Sequence, residues 1–259
     1  MNVLIIGGLG WLGKALTEVV SKHHTVRVFD LETAEAPRED LDFGGEVVFG
    51  SVVDFEVVRS AVEGQDAIIH AAVASTILRG LYEPSDPVPF DVNVRGTYNV
   101  LEAARQEGVG RFVLIAAAET HVDHPPGVFV DRNTPYAGAG SIYDLTKRLQ
   151  EEVCRWFVQL YGLDIIALRL GDILDVTRGL TKWDDAVWKK SMADGSWIHR
   201  HDVGEACVRA LEMDHKGFDV YHLVGAPSAK KRFDVARAEG VLGIRFTTEF
   251  DRRPASERR

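Results

Sequence analysis

The side chains in this sequence best suited to moving a proton are a tyrosine and a lysine four residues apart, in Tyr143-Asp-Leu-Thr-Lys147. At that spacing they share one face of a helix. A phenol normally gives up its proton at about pH 10. A neighbouring ammonium favours the phenolate and makes the tyrosine a usable base. Alone, a Tyr-x-x-x-Lys spacing is common and says little. Its meaning depends on the elements that carry it.

The chain opens with Asn2-Val-Leu-Ile-Ile, then Gly7-Gly-Leu-Gly-Trp-Leu-Gly13, then a helical run to about Ser21. Val3 to Ile6 reads as a buried strand, while Leu12, Leu16, Val19 and Val20 recur at helical spacing. Glycines therefore stand where a strand must turn tightly into a helix. Backbone N–H groups at a helix start, with no Cβ in the way, suit a pyrophosphate. Gly8, Gly10 and Gly13 match G-x-G-x-x-G. Gly7, Gly10 and Gly13 match the looser G-x-x-G-x-x-G, which is preferred because Gly7 follows the strand directly. The next apolar run, Thr25-Val-Arg-Val-Phe-Asp30, ends in an acid 17 residues after Gly13. That is close to the distance expected of a ribose-binding carboxylate. The plainer alternative is a glycine-rich turn between packed elements. If a dinucleotide binds, a cationic nicotinamide ring adds to the effect of Lys147 on Tyr143, and Lys147 can also hydrogen-bond a ribose.

Further along, apolar strand-like runs alternate with helical patterns, which argues for a parallel sheet covered on both faces. Val47 to Phe49 is a short strand, and Asp54 can cap a helix carrying Val57, Val58, Ala61 and Val62. Strands follow at Asp66 to Ala72, Phe112 to Ala117, Asp164 to Leu170 and Val220 to Val224, with a last one at Ile244 to Phe250. Helices are expected at about Asp91 to Glu107, Ser141 to Tyr161, Trp183 to Ala193, Asp202 to Met213 (capped by Asp202) and Phe233 to Leu242. Ser75 to Phe90 is a proline-containing loop. Thr120 to Gly140 is long enough to be a functional one.

Composition bounds the rest. The 259 residues suit one large domain, or one domain with a small lobe; 46% are hydrophobic and 27% charged, as in ordinary globular proteins. A net charge of −9 without a basic block disfavours nucleic acid and anionic membranes as partners. Cys154 and Cys207 lack metal-ligand spacing and read as core residues. No apolar stretch reaches the roughly 20 residues of a membrane span. With a nucleotide strand starting at residue 2 in place of a signal-like segment, a cytoplasmic location is expected.

Taken together, Gly7-x-x-Gly10-x-x-Gly13, Asp30, Asp66-Ala-Ile-Ile-His-Ala-Ala72, Asn93-Val-Arg-Gly-Thr-Tyr-Asn-Val-Leu-Glu-Ala103, Arg111-Phe-Val-Leu-Ile, Tyr143-x-x-x-Lys147, Leu168-Arg-Leu-Gly171 and Trp197-Ile-His-Arg-His-Asp-Val203 resemble the extended short-chain dehydrogenase/reductases. Within them the resemblance is to the NAD-dependent epimerase/dehydratase group. It implies an α/β, Rossmann-type, doubly wound parallel sheet of about seven strands with a small C-terminal substrate lobe, divided here as 1–173 and 174–259. It implies NAD as cofactor and a hydride transferred at a hydroxyl-bearing carbon. Gly7, Gly10, Trp11, Leu12, Gly13, Asp30, Ser51, Val52, Ala71, Ala72, Val73, Ala116, Tyr143 and Lys147 would line the cofactor, and Tyr143 and Lys147 would serve catalysis. No metal is implied, so His121, Asp123 and His124 count as loop residues. A homodimer through the helices at about Asp91 to Glu107 and Ser141 to Tyr161 is also implied.

Two departures bear on mechanism. Where the family usually has a serine or threonine after the fifth strand, this chain has Ala117, within Ala116-Ala-Ala118; alanine offers no donor. Glu119 falls where the sugar-dehydratase branch places an acid, and Glu119 or Thr120 could stand in. Ser51 replaces an aspartate often found near the adenine, where Val52 backbone groups could still serve. His70 reads as a packing residue. His199, Arg200 and His201 face either a substrate or solvent, and Trp183, Trp188 and Trp197 form either a substrate wall or core. The 112 residues beyond Lys147 leave little room for a nucleotide-binding lobe, favouring a small sugar or sugar acid. A nucleotide-sugar epimerase/dehydratase and a non-catalytic dinucleotide sensor remain as alternatives.

Overall fold

The computed structural model describes residues 1–32, 42–74, 87–121, 123–137, 141–181 and 197–247. Among them, seven parallel strands form the main sheet: β1 (Asn2–Ile6), β2 (Thr25–Asp30), β3 (Glu46–Phe49), β4 (Ala67–His70), β5 (Arg111–Ala117), β6 (Asp164–Leu170) and β10 (Phe218–Leu223). Their order is β10-β6-β5-β4-β1-β2-β3. The order reverses between β1 and β4, which is where ligands bind in open α/β sheets.

Helices cover both faces. On one, α1 (Trp11–Val20), α5 (Arg200–Glu212) and α6 (Val235–Leu242) enclose a core that includes Val3, Ile5, Leu16, Val19, Ile166 and Leu211. On the other, α2 (Phe55–Val62), α3 (Gly96–Gln106) and α4 (Ile142–Tyr161) pack over Leu4, Ile68, Phe112, Ile165 and Phe157. Every strand residue from Val3 to Ile6 is buried, as expected of a strand covered on both sides. Asp54 caps α2 by accepting from Val57 N, and Ser141 caps α4 by accepting from Asp144 N. Such caps contribute about 1 kcal/mol each. Gly162 ends α4 at φ +71°, the left-handed conformation glycine adopts without a Cβ penalty.

Several expectations are corrected. The helix expected from Asp91 starts with a wider π turn, Phe90–Arg95, before α3. Asp202 does not cap α5, whose N-cap is His199. The Asp202 carboxylate instead accepts from Thr247 N at 2.5 Å and Thr247 Oγ1 at 2.8 Å. Those bonds occupy the stretch assigned to a last strand: residues 244–247 are not in a strand, and 248–250 lie outside the described residues. The helix expected at Trp183 to Ala193 and most of the Ser75 to Phe90 loop also lie outside them. A second small sheet was not anticipated: β7 (Asp172–Asp175) pairs with β8 (Leu180–Thr181) and β9 (Trp197–His199), in the order β8-β7-β9. These strands of two to four residues are too short to show a period. Trp197 is fully buried in the core beside this sheet, so it walls no open site. Among the described residues, no helix is long and apolar enough to cross a membrane.

Candidate active site

The glycine turn is shaped by the backbone packed around it. Gly7 has φ +84°, and a Cβ there would lie 2.7 Å from Ala72 N, at the end of β4. A Cβ on Gly13 would collide with the Gly7 carbonyl oxygen and approach Gly8 C to 2.7 Å. Gly10 differs: an added Cβ would meet the Gly7 carbonyl oxygen at 3.4 Å and otherwise open space. Gly7 and Gly13 thus let the turn close, while Gly10 leaves the space above it free for a bound group. Gly8 is also confined, since a Cβ there would reach Val28 Cγ1 at 2.8 Å. Gly10 is the N-cap of α1 and, among the described residues, no side chain caps it. Aligned N–H groups at such a helix start favour an anion.

Asp30 stands at the edge of this turn. Its carboxylate accepts from Leu9 N and Leu31 N, each at 2.8 Å. Burial pushes the Asp30 carboxyl above its usual range, against the backbone donors of Leu9, Leu31 and Gly10. The remaining residues expected around the cofactor flank the same strand ends. Ala71 N donates to Ile6 O at 2.8 Å, Ala72 packs under Gly7, Val73 is exposed, and Ala116 is buried within β5. Trp11 and Leu12 are half-buried in the first turn of α1. The Ser51 hydroxyl accepts from Val53 N, and the Val52 carbonyl accepts from Asn99 Nδ2 at 2.9 Å.

The Tyr143 and Lys147 pair sits on the first two turns of α4. Lys147 is 4% exposed, and its Nζ donates to Ile115 O of β5 at 2.7 Å. Tyr143 lies one turn earlier and is half-buried. A buried polar network holds this corner. Asn93, in the π turn, accepts from Ala74 N at 2.7 Å and donates to Ala74 O and Thr146 Oγ1, each at 2.9 Å. It ties the exit of β4 to α4 between Tyr143 and Lys147. Thr97 Oγ1 donates to the Asn93 carbonyl at 2.6 Å and accepts from Gln150 Nε2 at 2.7 Å. Its remaining lone pair faces His70 Nε2 at 3.0 Å, which assigns the proton of the neutral ring to Nε2. Burial, with the charge of Lys147 added, pushes His70 down to about 3. His70 is thus a neutral packing residue, in line with its place in a buried strand.

Beneath Tyr136, Arg169 and Glu151 form a fully buried ion pair, Nε to Oε1 at 2.8 Å and Nη2 to Oε2 at 2.9 Å. Tyr136 Oη donates to Glu151 Oε2 at 2.8 Å. Burial alone would raise the Glu151 carboxyl, but the Arg169 and Tyr136 donors outweigh it and hold it below its usual range. Asn93, Thr97 and Arg169 lie in runs that carry the family resemblance but had no role assigned from the sequence, and Gln150 and Glu151 were not singled out. A polar residue recurring on the buried face of α4 was the only signal for Gln150 and Glu151.

Ala117 ends β5 and is buried. Thr120 is 2% exposed, and its hydroxyl lies 2.8 Å from both the Ala117 carbonyl and His121 Nδ1. The hydroxyl expected to supply the missing donor is thus engaged inside the protein, with its single proton between two interior acceptors. His121 Nε2 faces the Thr134 carbonyl at 3.1 Å, and burial pushes the ring down to about 4. The Glu119 side chain lies outside the described residues. His199 is buried and its Nδ1 accepts from Val176 N at 3.0 Å, whereas His201 Nε2 is 3.2 Å from Glu18 Oε2 in a solvent-exposed pair.

A doubly wound sheet, a glycine turn at its switch point and a Tyr-x-x-x-Lys helix beside the neighbouring strand define a dinucleotide-dependent dehydrogenase type of architecture. Residues 3–223 match the family described as the NAD dependent epimerase/dehydratase family, and the chain belongs to it. The chain is 30% identical over 174 residues to a uronate dehydrogenase of Pseudomonas putida, a match covering 66% of this chain and 60% of that protein. It is 32% identical over 273 aligned positions to a dTDP-glucose 4,6-dehydratase of Mycobacterium tuberculosis, covering 97% of this chain and 80% of that one. The crystal structure of a uronate dehydrogenase from Agrobacterium tumefaciens superposes with a TM-score of 0.79 at 21% identity, over 99% of this chain and 88% of that one. That likeness shows a shared fold.

Proposed function

We propose that this protein is an NAD-dependent oxidoreductase acting at a hydroxyl-bearing carbon of a sugar or sugar acid. The observation that carries the proposal is the Lys147 ammonium, buried against β5 one helical turn from Tyr143, next to the β4 end that packs under Gly7. In this reading the first turn of α1 holds the pyrophosphate, and Asp30 accepts from the adenosine ribose hydroxyls. NAD, once bound, supplies the hydride acceptor. Tyr143 Oη takes the proton of the substrate hydroxyl, and the positive charge of Lys147 stabilises the phenolate. Asn93 holds α4 at the depth this requires. Residues 174–259 carry the substrate lobe, interleaved with β10, α5 and α6, which belong to the main sheet and its cover; the little chain left over favours a sugar acid over a nucleotide sugar.

The named relatives support the sugar class: one is a uronate dehydrogenase and another a nucleotide-sugar dehydratase. NAD reduction measured across uronic acids and aldoses, with product analysis for nucleotide sugars, where an epimerase or dehydratase returns the hydride and leaves no net NADH, separates them; turnover on nucleotide sugars alone would overturn the small-substrate reading. Ala117 favours a second reading, a dinucleotide sensor without turnover. One lost oxyanion donor typically costs about 10²–10³ in rate. A large gain in Ala117→Ser would identify a slow enzyme lacking its hydroxyl, whereas NAD binding without turnover in either form identifies a sensor.

The active unit in this reading is a cytoplasmic homodimer. The two free cysteines are both buried, as suits a reducing compartment. Tyr98 on α3 and Leu145, Trp156, Leu160 and Tyr161 on α4 are large, apolar and exposed, a second stripe beyond the one facing the sheet. Solution mass at micromolar concentration tests the dimer, and a strict monomer refutes it.

A further inference from the structure

One guanidinium connects the glycine turn to the small sheet. Helix α5 lies so close to α1 that a Cβ on Gly204 would come within 2.7 Å of Val19 Cβ. That contact brings Arg200, the first residue of α5, against the first turn of α1. Arg200 Nη1 donates to the Trp11 carbonyl at 3.3 Å, and the guanidinium carbon lies 5.2 Å from the centroid of the Trp11 ring. Its Nη2 is 2.9 Å from Asp175 Oδ2, with the two side chains 13% and 2% exposed. The other Asp175 oxygen accepts from Arg178 N at 3.0 Å, in the turn leaving β7. Arg200 is therefore neither a solvated residue nor one open to substrate.

We propose that Arg200 is a positioning residue: it holds the Trp11 end of the glycine turn in place for the pyrophosphate and links that turn to the β7–β8 turn of the C-terminal lobe. This rests on the dinucleotide reading above. Three physical points support it. The turn is built from glycines, which lose the most conformational freedom on ordering, and no described side chain caps α1 from within. A restraint from outside the helix then fixes where its first N–H groups point. A planar guanidinium can engage a carbonyl and a carboxylate at once while stacking on an indole, which the single ammonium of lysine cannot reproduce. The ion pair with Asp175 is shielded from water, so its attraction is screened less than that of a surface pair. Because Asp175 also anchors the turn leaving β7, displacement on one side is felt on the other.

The test is the dissociation constant for NAD, measured by calorimetry on the full chain well below its melting temperature. Arg200→Ala is expected to weaken NAD binding about tenfold, the effect of losing a hydrogen bond to a charged group. Arg200→Lys should lose nearly as much, and Asp175→Asn about threefold. Glu18→Gln is the control: it removes the charge that faces His201, a further polar link between α1 and α5 among the described residues, and should change NAD binding by less than about twofold. Unchanged NAD binding in folded Arg200→Ala overturns this inference alone. So does an equal loss in Glu18→Gln, which would mean loosened helix packing and not a specific clamp. If Arg200→Ala does not fold, Arg200→Lys and Asp175→Asn decide by the same criteria. If the unaltered chain binds no NAD, the dinucleotide reading falls and takes this inference with it.

Discussion

The glycine turn and the Tyr143 corner face the same cleft edge of the sheet but are built from different materials. The turn is made of backbone: Gly7, Gly10 and Gly13 contribute the absence of side chains, and the contacts that confine them are to Ala72 N, Gly8 and one another. The Tyr143 corner is made of side chains: Asn93, Thr97, His70, Gln150, Lys147, Glu151 and Arg169, drawn from two strands, the π turn and two helices. A backbone site needs only that nothing intrude. A side-chain site needs each buried polar group to keep its partner, because an unpaired one carries the full cost of desolvation. Single substitutions should therefore affect the two regions differently.

The largest effect is expected at the chemistry itself. Tyr143→Phe keeps the ring and removes the proton-carrying oxygen; turnover should fall about 10²–10⁴-fold, while NAD binding stays nearly unchanged. Near-normal rates in this variant would place the base elsewhere. Next comes the support beneath the corner. Glu151→Gln leaves Arg169 buried without its counter-charge and should destabilise the protein by about 3–5 kcal/mol in urea unfolding. Pairing Glu151→Leu with Arg169→Met should recover only part of that loss, since the burial cost of both charges disappears together but the Tyr136 hydroxyl and Arg155 lose their acceptor. A loss below 1 kcal/mol for Glu151→Gln would show that the corner tolerates an unpaired group, which would collapse the distinction between the two regions.

Acid sharpens the comparison further. His70 titrates at 6.5 when exposed and at about 3 when buried in the fold. Between those values the unfolded chain binds the extra proton. The stability His70 allows is thus complete above pH 6.5 and is lost progressively as pH falls toward 3. At pH 5 that amounts to roughly 2 kcal/mol relative to neutral pH. His70→Gln should flatten the stability–pH curve in this window by up to one proton, measured by chemical denaturation at several pH values. The smallest expected effect belongs to the backbone site: NADP should bind about tenfold more weakly than NAD, because the Asp30 carboxylate repels a 2′-phosphate. Equal or tighter NADP binding would remove Asp30 from its role.

Legibility followed the same division. Strands β1 to β6 and helices α1, α2 and α4 were readable because their apolar periods are strong and their ends carry local signals: Asp54, Ser141, and the glycine turn with its short distances along the chain. The expected last strand at Ile244 to Phe250 misled because its alternation was apolar enough. Only the fold reveals that Thr247 is bound to Asp202, 45 residues earlier in the chain. The same fold removes Asp202 from the capping role its position at a helix start suggested. Thr120 was legible as a neighbour of the missing serine by proximity alone; its contacts with the Ala117 carbonyl and His121 belong to the turn it sits in.

By itself the sequence determined the sheet class, the glycine turn, the acid at the end of β2 and the Tyr-x-x-x-Lys pair, since each is written within about 20 residues and governed by local geometry. The tertiary structure decided which polar residues cooperate: that Asn93 ties Ala74 to Thr146, that Glu151 neutralises Arg169, and that Arg200 reaches back to Trp11 across 189 positions. Such contacts leave no period, and the motif runs that hold Asn93, Arg169 and Arg200 do not say which partners they meet. They depend on where packing of whole helices against the sheet brings a few buried polar atoms within hydrogen-bond distance of one another.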